Sequence, residues 1–317
     1  MKLAIAFILA PVFVAADSRV REVLDDHILP RFAALSVATS ALADAQNCDI
    51  MDKWNTAAAA WIAVSHLRFG PSEAENRAFA LAFWPDPRGS TPKSLVDLLA
   101  DDDPVIVDAS VAGRGFYAME FLLFDLAFSE ANGRCDLVAA LARDAHTTVQ
   151  EIEKDWQNRY AELMRNTGND TYRNDTEALQ ELYKSLTSGL DFTASMRLGR
   201  PLGTFDRPRP LRAEMRRSAQ SLNNIAVSLR SLEELAFILS ADEPDAAIGI
   251  KFNEAMSAWN SVELLEGSDD LSVVTVHTSR LKVETLQQRI FDIRVFLSEN
   301  LGPELGVIEG FNSLDGD

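Results

Sequence analysis

The sequence predicts an all-α protein, organised as two packed helical bundles related by duplication. Three observations carry this expectation. Only 15 Gly and 12 Pro are spread over 317 residues, too few turn formers for a many-stranded β protein, whereas Ala, Leu, Glu and Arg recur in long uninterrupted runs. Apolar residues return at spacings of three and four along most of the chain. Residues 53 to 64 also echo residues 251 to 262. Lys53, Asn55, Ala57, Ala60, Trp61 and Val64 fall on Lys251, Asn253, Ala255, Ala258, Trp259 and Val262, six identities in twelve positions, and a shared Trp and Lys-x-Asn favour duplication of a helical unit over coincidence.

The elements follow in order. Lys2 precedes an apolar run from Leu3 to Val14 that is too short to span a bilayer, and Val14-Ala15-Ala16 offers small residues for cleavage. Residues 1–16 therefore read as a signal peptide, with mature protein beginning at Asp17 and no membrane insertion after cleavage. Helices are expected from about Arg19 to Gln46 and from Ile50 to Phe69, the second stopping at Gly70-Pro71 as a glycine C-cap. Ser72 and Glu75 have capping-box spacing and restart a helix to about Phe83, after which Trp84-Pro85-Asp86-Pro87-Arg88-Gly89 must be irregular. Further helices are expected at Ser94 to Leu99, Val105 to Phe128, Cys135 to Met164 and Asp175 to Ser195. They complete an N-terminal bundle over residues 17–197. Residues 198–211 form a Pro/Gly-rich connector. In the C-terminal bundle, 212–317, Met215, Ser218, Leu222, Ile225, Leu229, Leu232 and Ala236 make a buried seam. The last long helix runs from about Thr275 to Asn300, and Val273 to Val276 is the one piece that reads as a strand.

Charge and cysteine usage narrow the function. Thirty basic residues against 48 acidic ones give a formal charge of -18, which repels phosphate backbones and excludes nucleic acid as a partner. Cys48 and Cys135 are the two cysteines, a plausible disulfide in an oxidising compartment. None of the four histidines, His27, His66, His146 and His277, has Glu three residues away, so neither the zinc-protease helix nor the di-iron bundle motif is present. Nucleophile-elbow and phosphate-loop patterns are absent as well.

What remains is Gly113-Arg114-Gly115-Phe116-Tyr117-Ala118-Met119-Glu120. Two glycines inside a helix cost about 1 kcal/mol each against Ala and allow close approach by a backbone or ligand. Tyr117 and Glu120, three apart, share one helical face. A carboxylate in so apolar a stretch needs a partner. On these residues alone, an ion pair with Arg68 or Arg114 outweighs metal ligation. His66 and Asp86 are weaker candidates to converge on Glu120. His66 reads first as a surface group at a helix C-terminus, and Asp86 as a turn residue between prolines.

Gly115 to Leu123 resembles the signature of the imelysin-like proteins, the M75 peptidase family: Gly-x-His-x-x-Glu followed by Phe or Tyr, Leu, Leu, with Tyr117 in place of the histidine. The resemblance extends to Arg68-Phe69-Gly70-Pro71, Phe83-Trp84-Pro85-Asp86, Gly199-Arg200-Pro201-Leu202-Gly203 and the ending Gly310 to Asp317. It implies two helical bundles in a periplasmic protein associated with iron uptake, with Gly115 and Glu120 as family positions at a site near the bundle junction. Zinc hydrolysis relies on imidazole ligands, so Tyr117 in place of the signature histidine weighs against peptidase activity and leaves it open. Tyrosine with carboxylate suits iron or another hard cation. The expectation is a binding or accessory protein of iron acquisition, taking a metal ion or small ligand and working with iron-uptake envelope proteins. The alternatives are an M75-type metallopeptidase and an envelope interaction protein that binds no metal.

Overall fold

The computed structural model describes residues 13–45, 48–240 and 246–307. Residues 1–12 of the expected leader and the ending Gly310 to Asp317 lie outside that range. Among the described residues there are helices and turns and no strand, apart from one isolated bridge between Thr204 and Arg207. No helix among them is long and apolar enough to cross a membrane.

The helices are α1 (Phe13–Glu22), α2 (Leu29–Ala43), α3 (Met51–Val64), α4 (Arg77–Leu81), α5 (Ser90–Ala100), α6 (Gly115–Phe124), α7 (Arg134–Asp155), α8 (Ala161–Arg165), α9 (Asp175–Asp191), α10 (Gly199–Leu202), α11 (Ser221–Leu239), α12 (Ala246–Glu263), α13 (His277–Glu299) and α14 (Leu301–Leu305). π-Helical turns join α1 to α2 (Val23–Ile28), α7 to α8 (Trp156–Tyr160) and α9 to α10 (Phe192–Leu198). Each inserts a widened turn into an otherwise continuous rod, which rotates the side chains beyond it.

In the first group α2 packs on α3 and α7, and α6 lies against α7. In the second, α11, α12 and α13 pack in succession. Contacts of α11 with α3 and α9, and of α13 with α9, bring the groups together. One apolar core runs through both, including Phe32, Trp54, Phe116, Trp156, Leu232 and Phe252. Helix α6 is apolar nearly all round and buried, as expected of a central rod. The disulfide between Cys48 and Cys135 fastens the approach to α3 to the first turn of α7.

Several local expectations need correction. The second helix ends at Val64, and Gly70, at φ +55°, instead opens a 3-10 turn where a Cβ would lie 2.5 Å from the Tyr160 ring. No capping box forms at Ser72. Its hydroxyl is buried without a partner, and Glu75 is left-handed (φ 53°) inside the turn Ala74–Asn76. Val105 to Phe128 is not one continuous helix: α6 takes Gly115–Phe124, and 3-10 turns at Ile106–Asp108, Val111–Gly113 and Leu126–Phe128 break the rest. Gly113 ends a 3-10 turn and Gly115 starts α6, so neither glycine lies mid-helix. Met215 and Ser218 precede α11 rather than sharing its seam, because Met215 (φ 48°) and Ala219 (φ 55°) turn the chain. Val273 to Val276 is not a strand, since Ser272–Thr275 forms a 3-10 turn.

Candidate functional site

Gly115 fixes the placement of α6. Its φ is +70°, and a Cβ there would sit 2.2 Å from the Leu81 carbonyl oxygen and 2.3 Å from that of Ala80, so only glycine lets the helix start against α4. From this start Tyr117 and Glu120 face the segment that leads into α11. The Tyr117 hydroxyl donates to Glu214 Oε1 at 2.6 Å, and Arg197 Nε donates to Glu214 Oε2 at 2.7 Å. Arg197 lies in the π turn after α9 and is buried, as is Glu214. Its Nη1 reaches the hydroxyls of Thr193 and Ser228 and its Nη2 that of Ser65, while its plane lies over the Phe192 ring. Every nitrogen of this guanidinium thus has a partner and four of its five N–H groups are used, as a buried charge requires. Burial and the neighbouring Glu214 carboxylate push the Tyr117 phenol far above its ordinary range.

Glu120 is only 2% exposed. Its Oε1 accepts from both the backbone N–H and the hydroxyl of Ser218, each at 3.0 Å. Burial raises its pKa, and the Ser218 amide together with the Arg217 charge restrains the rise. The expected ion pairs with Arg68 or Arg114 do not form. Arg68 is exposed and paired with Glu73, and Arg114 forks onto Asp144 of α7 at 3.0 and 2.8 Å. Each guanidinium is instead taken by another carboxylate, Glu73 for Arg68 and Asp144 for Arg114, away from the face that Glu120 presents.

Two cavities of about 490 Å³ each meet this face. Tyr117 and Trp84 border both. The first, mainly aromatic, is bounded also by Trp61, Phe79, Phe192 and His66. The second contains Glu120, Asp86, Arg200, Arg212 and Arg217. Asp86 stays in its loop as the acceptor for the first amides of α5, Ser90 N at 2.9 Å and Thr91 N at 2.8 Å. Burial pushes its carboxyl up, but the Thr91 and Ser90 amides hold it below its ordinary value.

His66 is a further correction. It is 5% exposed rather than a surface group, and its Nε2 lies 3.1 Å from Nε2 of His27, which comes from the first π turn. His27 Nδ1 faces Glu234 Oε1 at 3.3 Å, and Arg31 forks onto both oxygens of Glu234. These partners assign the protons: His27 carries one on Nδ1 for Glu234, so His66 donates from Nε2 to His27. Burial lowers both imidazoles, most strongly His66, where the His27 charge adds to it.

The structure thus brings Tyr117, Glu120, Asp86 and His66 to the walls of two adjoining cavities, with no direct bond among the four. Sequence reasoning missed Arg197, Glu214, Arg217 and Ser218 as partners. One signal was available: seven arginines fall between positions 197 and 217 of an acidic chain.

The fold and this site define a class: an all-helical protein with a buried tyrosine and glutamate, from the start of one helix, facing a polar segment nearly a hundred residues later. The family model described as imelysin, peptidase M75, matches residues 26–293, and the chain belongs to that family. An imelysin-like protein from Psychrobacter arcticum 273-4 is similar in structure, with TM-score 0.79 and 19% identity over 94% of this chain and 98% of that one. A structure named as an iron-regulated protein A precursor, from Parabacteroides distasonis ATCC 8503, is similar with TM-score 0.70 and 15% identity, covering 92% and 98%. At these identities the likeness speaks for the fold. No curated protein matches the chain.

Proposed function

We propose that this chain is an exported, periplasmic binding or accessory protein of iron acquisition that takes a small ligand at the face of Tyr117 and Glu120 and works with iron-uptake proteins of the envelope. The observation that carries the proposal is the position of Tyr117, a buried phenol standing between two cavities with Glu120 on the second. Membership of the imelysin family supports it, as does the iron-regulated name of one similar structure. Concave sites with a few placed polar groups in apolar walls are where small ligands bind.

The donor set argues against a bare resident cation. The Tyr117 proton is held by Glu214, Glu120 is engaged by Ser218, His66 by His27, and Asp86 by two amides. Among the described residues no three His, Cys, Asp or Glu side chains are grouped to hold an ion. Iron therefore enters the proposal as cargo, carried in complex with a small ligand, and among the described residues no ligand set stands for the zinc of the metallopeptidase alternative.

Calorimetric titration of the mature protein with ferric citrate, calcium and zinc, with iron-free citrate as reference, tests this. Saturable ferric binding that exceeds the reference and is lost in Glu120→Gln supports the proposal. Equal binding by wild type and variant, or none by either, leaves Glu120 a structural residue and overturns it.

A further inference from the structure

Between Arg197 and Arg217 the chain carries seven arginines and only two acids, Asp206 and Glu214, within a protein of formal charge -18. Such a reversal concentrates positive potential in one stretch of an acidic molecule. The fold turns Arg200, Arg212 and Arg217 into the cavity that holds Glu120. Arg217 already has a carboxylate, Asp125 at 2.6 Å, and lies over the Phe121 ring. Arg200 and Arg212 differ from it. Neither has a carboxylate partner among the described residues, and the buried Nε of Arg200 has no hydrogen-bond partner at all.

Their surroundings sharpen the imbalance. The Arg200 guanidinium stands 5.8 Å from the Trp84 ring centroid, on the wall between the cavities. Burial, and then the charge of Arg212, disfavours its charged form, so the two guanidinium groups are near enough to repel one another. The acids of the same cavity are engaged elsewhere, Asp86 by the amides of α5 and Glu120 by Ser218. Two neighbouring cations on a concave wall, neither of them paired with a carboxylate, cost free energy, and an anion placed there removes that cost.

We propose that this cavity binds a small, multiply charged oxyanion, a polycarboxylate or a phosphate, with Arg200 and Arg212 as the charge-pairing residues and Trp84 as the apolar wall. Planar guanidinium groups match the paired oxygens of both anion classes. A cavity of about 490 Å³ admits such a ligand whole, and a ligand hydroxyl can donate to Glu120 beside it. The inference uses the cavity of the preceding proposal but is independent of iron.

The test is calorimetry on the mature protein at low ionic strength with sodium citrate and with inorganic phosphate, both free of iron. Four proteins are compared: wild type, the Arg200→Gln/Arg212→Gln double variant, Arg212→Gln alone, and Arg207→Gln as an exposed control of equal charge change. Wild type and Arg207→Gln are expected to bind at least one of the two anions at one site. Affinity falls at least tenfold in the double variant and weakens with added sodium chloride. Citrate binding alone assigns a polycarboxylate, and phosphate binding alone a phosphate. If the double variant fails to fold, Arg212→Gln, at the more exposed arginine, carries the test with a loss of at least threefold. No saturable binding of either anion, an equal loss in Arg207→Gln, or undiminished binding in the folded double variant overturns the proposal. Because iron is absent throughout, such a failure leaves the Glu120 reading to stand or fall by its own titration.

Discussion

Tyr117 donates a hydrogen bond to Glu214 across 97 positions of sequence, in a buried setting and at 2.6 Å, and this bond fastens α6 to the segment leading into α11. The carboxylate it meets is also held by Arg197. Removing the phenol hydroxyl therefore leaves Glu214 charged and still paired, whereas neutralising Glu214 leaves a buried guanidinium without its counter-ion. Tyr117→Phe is expected to lower stability by about 1–3 kcal/mol and Glu214→Gln by about 3–5 kcal/mol. Urea denaturation of the two variants checks the order, which reverses if Arg197 relies mainly on its three hydroxyl partners.

Gly115→Ala is expected to be among the most damaging small substitutions in the chain. The methyl group must enter a left-handed backbone position and meet the carbonyl oxygens of Ala80 and Leu81 at 2.3 and 2.2 Å. Backbone atoms cannot move aside as a flexible side chain does, so α6 must shift and carry Tyr117 and Glu120 with it. A loss of about 3 kcal/mol or more is expected, read as a lower melting temperature with poor yield of folded protein. Gly133→Ala provides the comparison, because that glycine also has positive φ but an added Cβ there meets nothing within 4 Å.

The disulfide contributes through the unfolded chain. Cys48 and Cys135 are 87 positions apart, and closing a loop of that length is worth about 4–5 kcal/mol on the chain-entropy account. The Cys48→Ser/Cys135→Ser variant is expected to fold with a clearly lower denaturation midpoint than the oxidised protein. Added reductant should bring the wild type down to the same midpoint and leave the variant unchanged.

His27 and His66 make stability depend on pH. Both are lowered below the ordinary imidazole value of 6.5 in the folded protein. The unfolded chain therefore takes up protons first as pH falls. Their contribution is complete above about pH 6.5 and is lost on acidification toward the folded values, at up to about 1.4 kcal/mol per pH unit for each group. Glu120, raised in the fold above its ordinary 4.5, acts in the opposite sense, its contribution being lost as pH rises through the folded value. Denaturation midpoints at pH 7.5 and 5.5 should separate less in His66→Gln than in wild type. Equal separation contradicts the buried neutral pair.

Helix content, the long rods, the Cys48–Cys135 bond and the shared face of Tyr117 and Glu120 were legible because each rests on local spacing or on composition. The partners of that face were not. Glu214 and Ser218 sit in a segment where the three-four pattern runs on past left-handed Met215 and Ala219, so the pattern alone extends α11 over residues that in fact turn away from it. Arg197 and His27 enter the site from π turns, and a π turn changes which face a residue occupies without leaving a mark in apolar spacing. His66 reads as a surface group because a helix C-terminus suits an exposed imidazole, and only the packing of α3 against α2 and α11 reveals the buried partner.

The central claim is that a ligand occupies the hollow bounded by Tyr117, Trp84 and Glu120. Crystals of residues 17–317 grown with ferric citrate, measured at the iron absorption edge, address it most directly. The account predicts an anomalous peak within that hollow, with ligand density against the Glu120 side. Iron found only on the acidic outer surface, with the hollow holding ordered water alone, would contradict it.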